Sequence, residues 1–397
     1  MPETTDAACP DAAASSARHP DSRHLARLAV YGRLATRLSL MSDRRLGEAV
    51  AAATPLGAGI GGRPAELDVD GTRVFVKRVP LTDLELRPEN VRSTANLFGL
   101  PTFYQYGVGS AGFGAWRELA AHTITTNWVL ADAYADFPLM YHWRVLPDSA
   151  PEGVADEFGG IDGAVAHWEG SSAVRTRLEA IARSSASLVL FLEHVPQTLA
   201  QWLNDRREAP RSGGDGPPYA WVDESLARGA EFMSSRGFVH FDAHFRNVLT
   251  DGRSICFADL GLALSSGFEL SEEESGFLAG HLAYDRHYVA NHLLRHHVLD
   301  TVRGDAERDT FLRGWIAGER PEGVPPGAAA LIDRHARPSV VLDGFHHRLL
   351  NVSKRTPYPA ADIDRAGSPK SSRGHRAGGA EAAAAVTTAS GRPASAR

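Results

Sequence analysis

VHFDAHFRNVLTDGRSICFADLG, residues 239–261, is the stretch with the densest set of chemically active side chains in this chain. Its Asp-Gly dipeptide at 251–252 is typical of a two-residue hairpin turn, so we expect paired strands on both sides of it. Pairing outward from such a turn brings Asn247 and Asp259 to the same open end of the hairpin. Asp242 lies just upstream, on the loop that enters the first strand. The sequence therefore predicts that these three side chains lie close together.

Two carboxylates and one carboxamide near one point form a set of hard oxygen ligands. Mg²⁺ prefers such ligands and commonly bridges them to phosphate oxygens. A single Asp or Asn in a loop is usually only a turn or cap residue, but that role does not explain why Asp242, Asn247 and Asp259 converge. We therefore expect a metal–phosphate site at the open end of the hairpin.

The order and spacing of these residues resemble those of a known family. The pattern HxDxHxxN at 240–247, followed by DLG at 259–261, resembles the catalytic loop and metal-binding motif of the protein-kinase-like superfamily. A histidine two residues after Asp242 is more similar to aminoglycoside phosphotransferases and choline-kinase-like enzymes than to protein kinases. The resemblance implies an α+β, bilobal protein-kinase-like fold with a small antiparallel-sheet N-lobe, a helical C-lobe, and ATP and Mg²⁺ bound in the cleft.

The resemblance also implies a role for each residue of the motif. Asp242 would be the catalytic residue that accepts or orients the proton of the attacking hydroxyl. Asn247 and Asp259 would be the metal ligands that hold Mg²⁺ on the nucleotide phosphates, and His240 would brace the loop. Phosphoryl transfer depends mostly on positioning and charge neutralisation, so a further cation is expected at the phosphates.

Lys77 is the candidate for this cation and so a second catalytic residue. The stretch AELDVDGTRVFVKRV at 65–79 alternates apolar residues around an Asp-Gly turn, which predicts a hairpin with Lys77 on its second strand. A lysine in an apolar strand needs a carboxylate or phosphate partner. The alternative is an edge-strand lysine whose ammonium group extends into water.

Glu118 is the favoured carboxylate partner of Lys77. Its neighbours repeat with helical spacing, which predicts an amphipathic helix. Glu118 lies 41 positions after Lys77 (118 minus 77), which requires an insertion at 79–114. Glu85 and Glu89 are closer in sequence, but they flank Pro88, where a helix interior is not expected.

Two further segments are assigned to the nucleotide. In TPLGAGIGGRP at 54–64, glycine backbone N–H groups can approach phosphates, although the spacing departs from the GxGxxG of protein kinases and a plain loop is the alternative. These glycines are Gly57, Gly59, Gly61 and Gly62. FLEHV at 191–195 occupies the place of the kinase hinge, where the resemblance implies that backbone groups of Glu193 and Val195 contact adenine.

Composition limits the partners and the compartment of the chain. Its 397 residues are 43% apolar, and no apolar run approaches the ~20 residues that cross a bilayer. The first residues show no secretory signal, and two cysteines supply no disulfide framework, so we expect a soluble, cytoplasmic protein without a membrane partner. A net charge of −6 without a long basic run argues against a nucleic-acid partner.

The expected domain organisation follows from composition and the motif positions. We expect a disordered tail at 1–24, a kinase-like N-lobe with inserts at 25–195, a helical C-lobe with the catalytic loop at 196–360, and a disordered low-complexity tail at 361–397. The inserts at 79–114 and 147–186 are expected to shape the substrate site.

The expected function is transfer of the γ-phosphoryl group of ATP to a hydroxyl acceptor. The sequence after Gly261 has no Ala-Pro-Glu motif, which favours a small-molecule acceptor over a protein. The alternatives are a protein serine/threonine kinase, a pseudokinase that binds or scaffolds without turnover, and a metallohydrolase built on the histidines of the motif. His292 and His296 have the i, i+4 spacing of a metal pair, but ordinary helix residues are the preferred interpretation.

Overall fold

The computed structural model describes residues 22–56, 63–208, 218–304 and 306–367. These ranges form a mixed α+β fold, which confirms the expected class. The four glycines predicted to cover the phosphates lie outside the described residues, as does most of each predicted tail. Those glycines are Gly57, Gly59, Gly61 and Gly62.

Ten antiparallel strands build three sheets in the described part of the chain. They are β1 (Thr54–Pro55), β2 (Arg63–Val69), β3 (Thr72–Leu81), β4 (Met140–Pro147), β5 (Ala186–Glu193), β6 (Gln197–Thr198), β7 (Phe238–Val239), β8 (Val248–Thr250), β9 (Ile255–Phe257) and β10 (Leu264–Ser265). The largest sheet has the order β1-β2-β3-β5-β4. The remaining strands form the small sheets β6-β8-β9 and β10-β7, so the long strands all precede residue 194.

Thirteen α-helices lie within the same described ranges. They are α1 (Ser22–Ser39), α2 (Asp43–Ala51), α3 (Asp83–Leu86), α4 (Ala115–Leu130), α5 (Ile161–His167), α6 (Ser172–Ile181), α7 (Leu199–Glu208), α8 (Tyr219–Ser235), α9 (Glu272–His281), α10 (Tyr284–Leu293), α11 (Arg308–Ala317), α12 (Pro326–Asn351) and α13 (Ala360–Gly367). None of these helices is long and apolar enough to cross a bilayer.

The first hairpin, between β2 and β3, turns at the predicted Asp-Gly dipeptide. Val69 pairs with Thr72, and the two intervening residues, Asp70 and Gly71, have φ values of +51° and +77°. These positive values are the ones that a two-residue turn of this type requires. Lys77 lies on the second strand, as predicted.

The second hairpin, between β8 and β9, is longer than the predicted two-residue turn. Thr250 pairs with Ile255, so four residues form the loop. The reason is side-chain hydrogen bonding: Asp251 Oδ1 accepts from the N–H groups of Arg253 and Ser254, both at 2.9 Å, which closes a wider loop. The outcome at the open end is unchanged, because the Ala258 N–H donates to Asn247 O at 2.9 Å.

Helix α4 packs on the five-stranded sheet through a small apolar cluster. Trp116 and Leu119 of α4 are each 3% exposed and lie with Val79, Leu190 and neighbouring apolar residues of the sheet. Burying each of these large side chains contributes roughly 1.5–3 kcal/mol. This packing fixes the helix that carries Glu118 beside the strand that carries Lys77.

Both predicted tails are too long at their inner ends. Helix α1 begins at Ser22, and Arg27 on this helix binds Glu193 at the end of β5 through two hydrogen bonds of 2.9 and 2.7 Å. Helix α13 extends to Gly367 and buries Ile363 completely. A few apolar and charged contacts are enough to order these short amphipathic ends, which composition alone did not indicate.

Candidate active site

The ammonium group of Lys77 contacts two carboxylates, those of Glu118 and Asp259. Lys77 Nζ lies 2.7 Å from Glu118 Oε1 and 2.8 Å from Asp259 Oδ1. Burial alone would lower the pKa of Lys77, but the two carboxylates raise it above its usual value. Burial would likewise raise the pKa of Asp259, yet the charge of Lys77 lowers it to about 2. Lys77 and Asp259 therefore carry full charges, and the lysine is held between two carboxyl groups. Burial raises the pKa of Glu118, although the charge of Lys77 opposes this increase.

Glu85, the alternative partner that is nearer to Lys77 in sequence, binds other groups in the structure. It is 1% exposed, and its Oε2 lies 2.9 Å from the guanidinium group of Arg177. Its Oε1 accepts the N–H of Ala115, the first residue of α4, at 2.7 Å. Glu85 also completes a capping box with Thr82. This carboxylate thus anchors the start of α4 and positions Glu118 indirectly.

Asp242 and Asn247 are joined within the loop that precedes β8. Asn247 Nδ2 donates to Asp242 Oδ2 at 3.0 Å and to the Asp242 carbonyl at 3.1 Å. Burial, together with the nearby charge of Asp259, raises the pKa of Asp242 to about 8. A carboxyl group with this pKa is well suited to exchange a proton near neutral pH.

The backbone of this loop is held by a buried carboxylate that sequence reasoning missed. Asp285, in the first turn of α10, accepts the His240 N–H at 2.6 Å and the Phe241 N–H at 3.0 Å. Phe241 has a φ of +63° and Asp259 a φ of +57°, values that are uncommon for non-glycine residues and cluster at functional sites. Helix α10 carries several other polar residues, so its sequence contains no particular signal for Asp285.

His240 braces the loop against the end of β9. Its Nε2 lies 2.8 Å from the Ala258 carbonyl, and its Nδ1 accepts the Asp242 N–H at 3.3 Å. Burial lowers the pKa of His240 to about 4, so the ring is neutral at physiological pH. Both ring nitrogens are engaged by the protein, which fits the bracing role that the resemblance implies and leaves neither nitrogen for a metal.

A second glycine-rich segment, GVGSAGFG at 107–114, lies directly against these residues. A Cβ atom on Gly107 would lie 2.2 Å from Asp242 Oδ1, and one on Gly112 would lie 2.9 Å from the Gly261 carbonyl. Gly112 also has a φ of +73°. Only glycine permits this close approach of the backbone. Sequence reasoning placed the glycine signal at 54–64 and missed this segment, although four glycines in eight residues mark it.

The predicted hinge residues lie where β5 ends and β6 begins. The Glu193 N–H donates to the Leu139 carbonyl at 2.7 Å, so a contact of Glu193 with adenine would have to use its carbonyl group. The Glu193 side chain is held by Arg27 and by the Leu139 N–H at 3.0 Å. Val195 is half-buried in the short connection to β6.

The donor set fits Mg²⁺ bound jointly with phosphate. The amide nitrogen of Asn247 faces Asp242, which leaves its oxygen for a cation, and Asp259 presents a side chain that is 43% exposed. The described residues contain no group of three or more His, Cys, Asp or Glu placed to hold a metal. Mg²⁺ needs only one or two protein oxygens when phosphates and water complete its shell.

Comparison with known proteins does not assign the chain to a family. No protein-family model matches the chain, and no curated protein matches it.

Proposed function

We propose that this chain is an ATP- and Mg²⁺-dependent phosphotransferase with a protein-kinase-like, bilobal arrangement, which transfers the γ-phosphoryl group to a hydroxyl group of a small molecule. The observation that carries the proposal is the position of the Lys77 ammonium nitrogen, which lies within 2.8 Å of carboxylate oxygens of both Glu118 and Asp259. The joined pair of Asp242 and Asn247 supplies the remaining groups that phosphoryl transfer needs.

Each residue has a physical task in this reaction. Lys77, oriented by Glu118, would bind phosphate oxygens, and Asn247 and Asp259 would hold Mg²⁺. When bound, Mg²⁺ supplies charge neutralisation at the phosphates. Asp242 would orient the acceptor hydroxyl and take its proton, and the Asn247 amide keeps the carboxylate in place. Positioning and electrostatics of this kind supply most of the rate enhancement in phosphoryl transfer.

The metallohydrolase alternative finds less support. It requires His240 as a metal ligand, but the two nitrogens of this ring are used by Ala258 and Asp242. A protein kinase, or a pseudokinase that binds nucleotide without turnover, would use the same residues, so the assay has to separate these alternatives.

The direct test measures ADP release from ATP and Mg²⁺ with a panel of hydroxyl compounds. Asp242→Asn keeps the shape of the side chain and removes its basicity, so we expect kcat to fall about 10²- to 10⁴-fold. Asp162→Asn is the matched control, because Asp162 lies in an exposed ion pair with Arg175. Phosphate on the protein itself would indicate a protein kinase, and nucleotide binding without ADP release would indicate a pseudokinase.

A further inference from the structure

A cavity of about 520 Å³ lies beside the loop that carries Asp242. Its walls come from α7, from the loop before β8, and from the end of α10 with the π-helical turn at 294–298. The basic and imidazole side chains that line it are Arg207, His244, Arg246, His292, His296 and His297. A volume of this size is typical of sites for small molecules.

The lining of this cavity is positively charged. Among the described residues that line it, Asp300 is the sole carboxylate, and it is already paired with Arg308 at 2.9 Å and with Arg303 at 3.2 Å. Burial lowers the pKa of His292 to about 2 and that of His297 to about 4, so these rings are neutral. Burial also lowers the pKa of His244 and His296. Among the described lining residues, the positive charge therefore comes from the two arginines.

The histidine wall packs against Phe245 and includes an irregular helical turn. The His292 ring lies 4.4 Å and the His297 ring 5.2 Å from the Phe245 ring, between centroids. The extra residue of the π-helical turn rotates His297 to the same side as His292 and His296, and turns of this kind often mark functional sites. The i, i+4 pair predicted to be ordinary helix residues thus lines a cavity together with the catalytic loop.

His244 connects the cavity to the candidate catalytic carboxylate. Its Nδ1 accepts the Arg246 N–H at 3.3 Å, which leaves the proton of a neutral ring on Nε2. That Nε2 lies 3.7 Å from Asp242 Oδ1. A molecule bound against His244 would therefore have its own groups within reach of Asp242.

We propose that this cavity binds the acceptor, and that the acceptor is a small hydroxyl compound bearing a carboxylate or phosphate group; this inference rests on the proposed function. Arg207 and Arg246 bind the anion, and the neutral imidazoles hydrogen-bond its polar groups. The acceptor oxygen bonds to the γ-phosphorus, the bond to the β,γ-bridging oxygen breaks, and its electron pair leaves with ADP. The hydroxyl proton passes to Asp242. Cationic alcohols such as choline or aminoglycosides are disfavoured by the same charges.

The test measures binding to the full chain without nucleotide, by calorimetry. The probes are inorganic phosphate and 3-phosphoglycerate as anions, glycerol as a neutral hydroxyl compound, and choline as a cation. We expect Arg207→Ala to raise the Kd of the anions about tenfold, and Arg207→Lys to restore part of the affinity. Arg206→Ala is the matched control, because Arg206 lies on the same helix over the Trp202 ring and does not line the cavity.

The outcomes separate this inference from the proposed function. Anion binding that depends on Arg207, with a raised KM for an anionic acceptor and an unchanged KM for ATP, supports both. Anion binding that depends on Arg207 without any ATP turnover supports the anion site and rejects the phosphotransferase. Equal anion affinity in Arg207→Ala and Arg206→Ala, no measurable binding of either anion, or equally tight binding of choline overturns the inference.

Discussion

Lys77 on β3 and Glu118 on α4 form an ion pair of 2.7 Å between side chains that are only 7% and 4% exposed. Such a buried pair is costly to break, because removing one partner leaves an uncompensated charge in a low dielectric. Asp259 increases the cost of losing Lys77, because its carboxylate binds the same ammonium group.

Lys77→Met tests this arrangement through stability. The variant leaves two carboxylates without their cation, so we expect the free energy of unfolding to fall by about 3 kcal/mol. Urea unfolding followed by circular dichroism measures the change. Arg73→Met is the control, because Arg73 is 61% exposed on the same strand and should cost no more than about 0.5 kcal/mol. Equal effects of the two substitutions would contradict the buried pair.

Glu85→Ala tests the anchor of α4. The variant removes the acceptor for the Ala115 N–H and leaves the buried Arg177 guanidinium without its carboxylate. We expect a loss of about 3–5 kcal/mol in the free energy of unfolding and, because α4 carries Glu118, weaker nucleotide binding. Glu89→Ala, at an exposed position four residues later, should be nearly neutral. A stable variant with normal nucleotide affinity would show that Glu85 does not position α4.

Gly107→Ala tests the contact between the glycine-rich segment and Asp242. The new methyl group would fall 2.2 Å from Asp242 Oδ1, so the carboxylate must rotate away from its place beside Asn247. We expect kcat to fall at least about tenfold while ATP affinity is kept, since misplacing a catalytic group by ~1 Å is costly. Gly276→Ala, on α9 with no atom within 4 Å of its added methyl group, should leave kcat unchanged.

Asp285 should make stability depend on pH. Burial raises its pKa from 3.8 to about 7, so the folded chain holds a proton that the unfolded chain releases between these values. The stabilising contribution is therefore complete below about pH 4 and is lost as pH rises through 7, with a slope of up to ~1.4 kcal/mol per pH unit. Asp285→Asn cannot titrate, so it lacks this loss of stability. As pH rises over this range, the free energy of unfolding of wild type should therefore fall relative to that of the variant. Parallel curves from pH 4.5 to 7.5 would count against this titration.

Local patterns in the sequence were sufficient for the elements that carry the site. The Asp-Gly turn and alternating residues place Lys77 on a strand, and helical spacing places Glu118 on α4. Pairing outward from the turn between β8 and β9 predicts that Asn247 and Asp259 lie near each other. The loop has four residues instead of two, but Asn247 still pairs next to Asp259, through the Ala258 N–H. These features depend on contacts between residues that are close in sequence.

The features that sequence reasoning missed depend on residues far apart in the chain. Asp285 meets the loop that carries Asp242 about 45 positions away, and Gly107 meets Asp242 across a still longer separation. The role of Glu85 depends on Arg177, which lies in another insert. The cavity combines α7 with the end of α10, and only the tertiary fold brings these together. Pattern and propensity carry no information about such pairings.

The most direct test of the central claim is the thermal stability of the chain with ATP and Mg²⁺, compared with ATP and EDTA, in wild type and in Asp259→Ala. The variant keeps the Lys77–Glu118 pair and removes the carboxylate assigned to the metal. A ligand at 100 times its Kd stabilises by ~2.7 kcal/mol, so wild type should show a shift of several degrees that requires Mg²⁺ and is lost in Asp259→Ala. No shift in wild type at millimolar ATP and Mg²⁺, or the same shift in Asp259→Ala, would contradict the proposed nucleotide site.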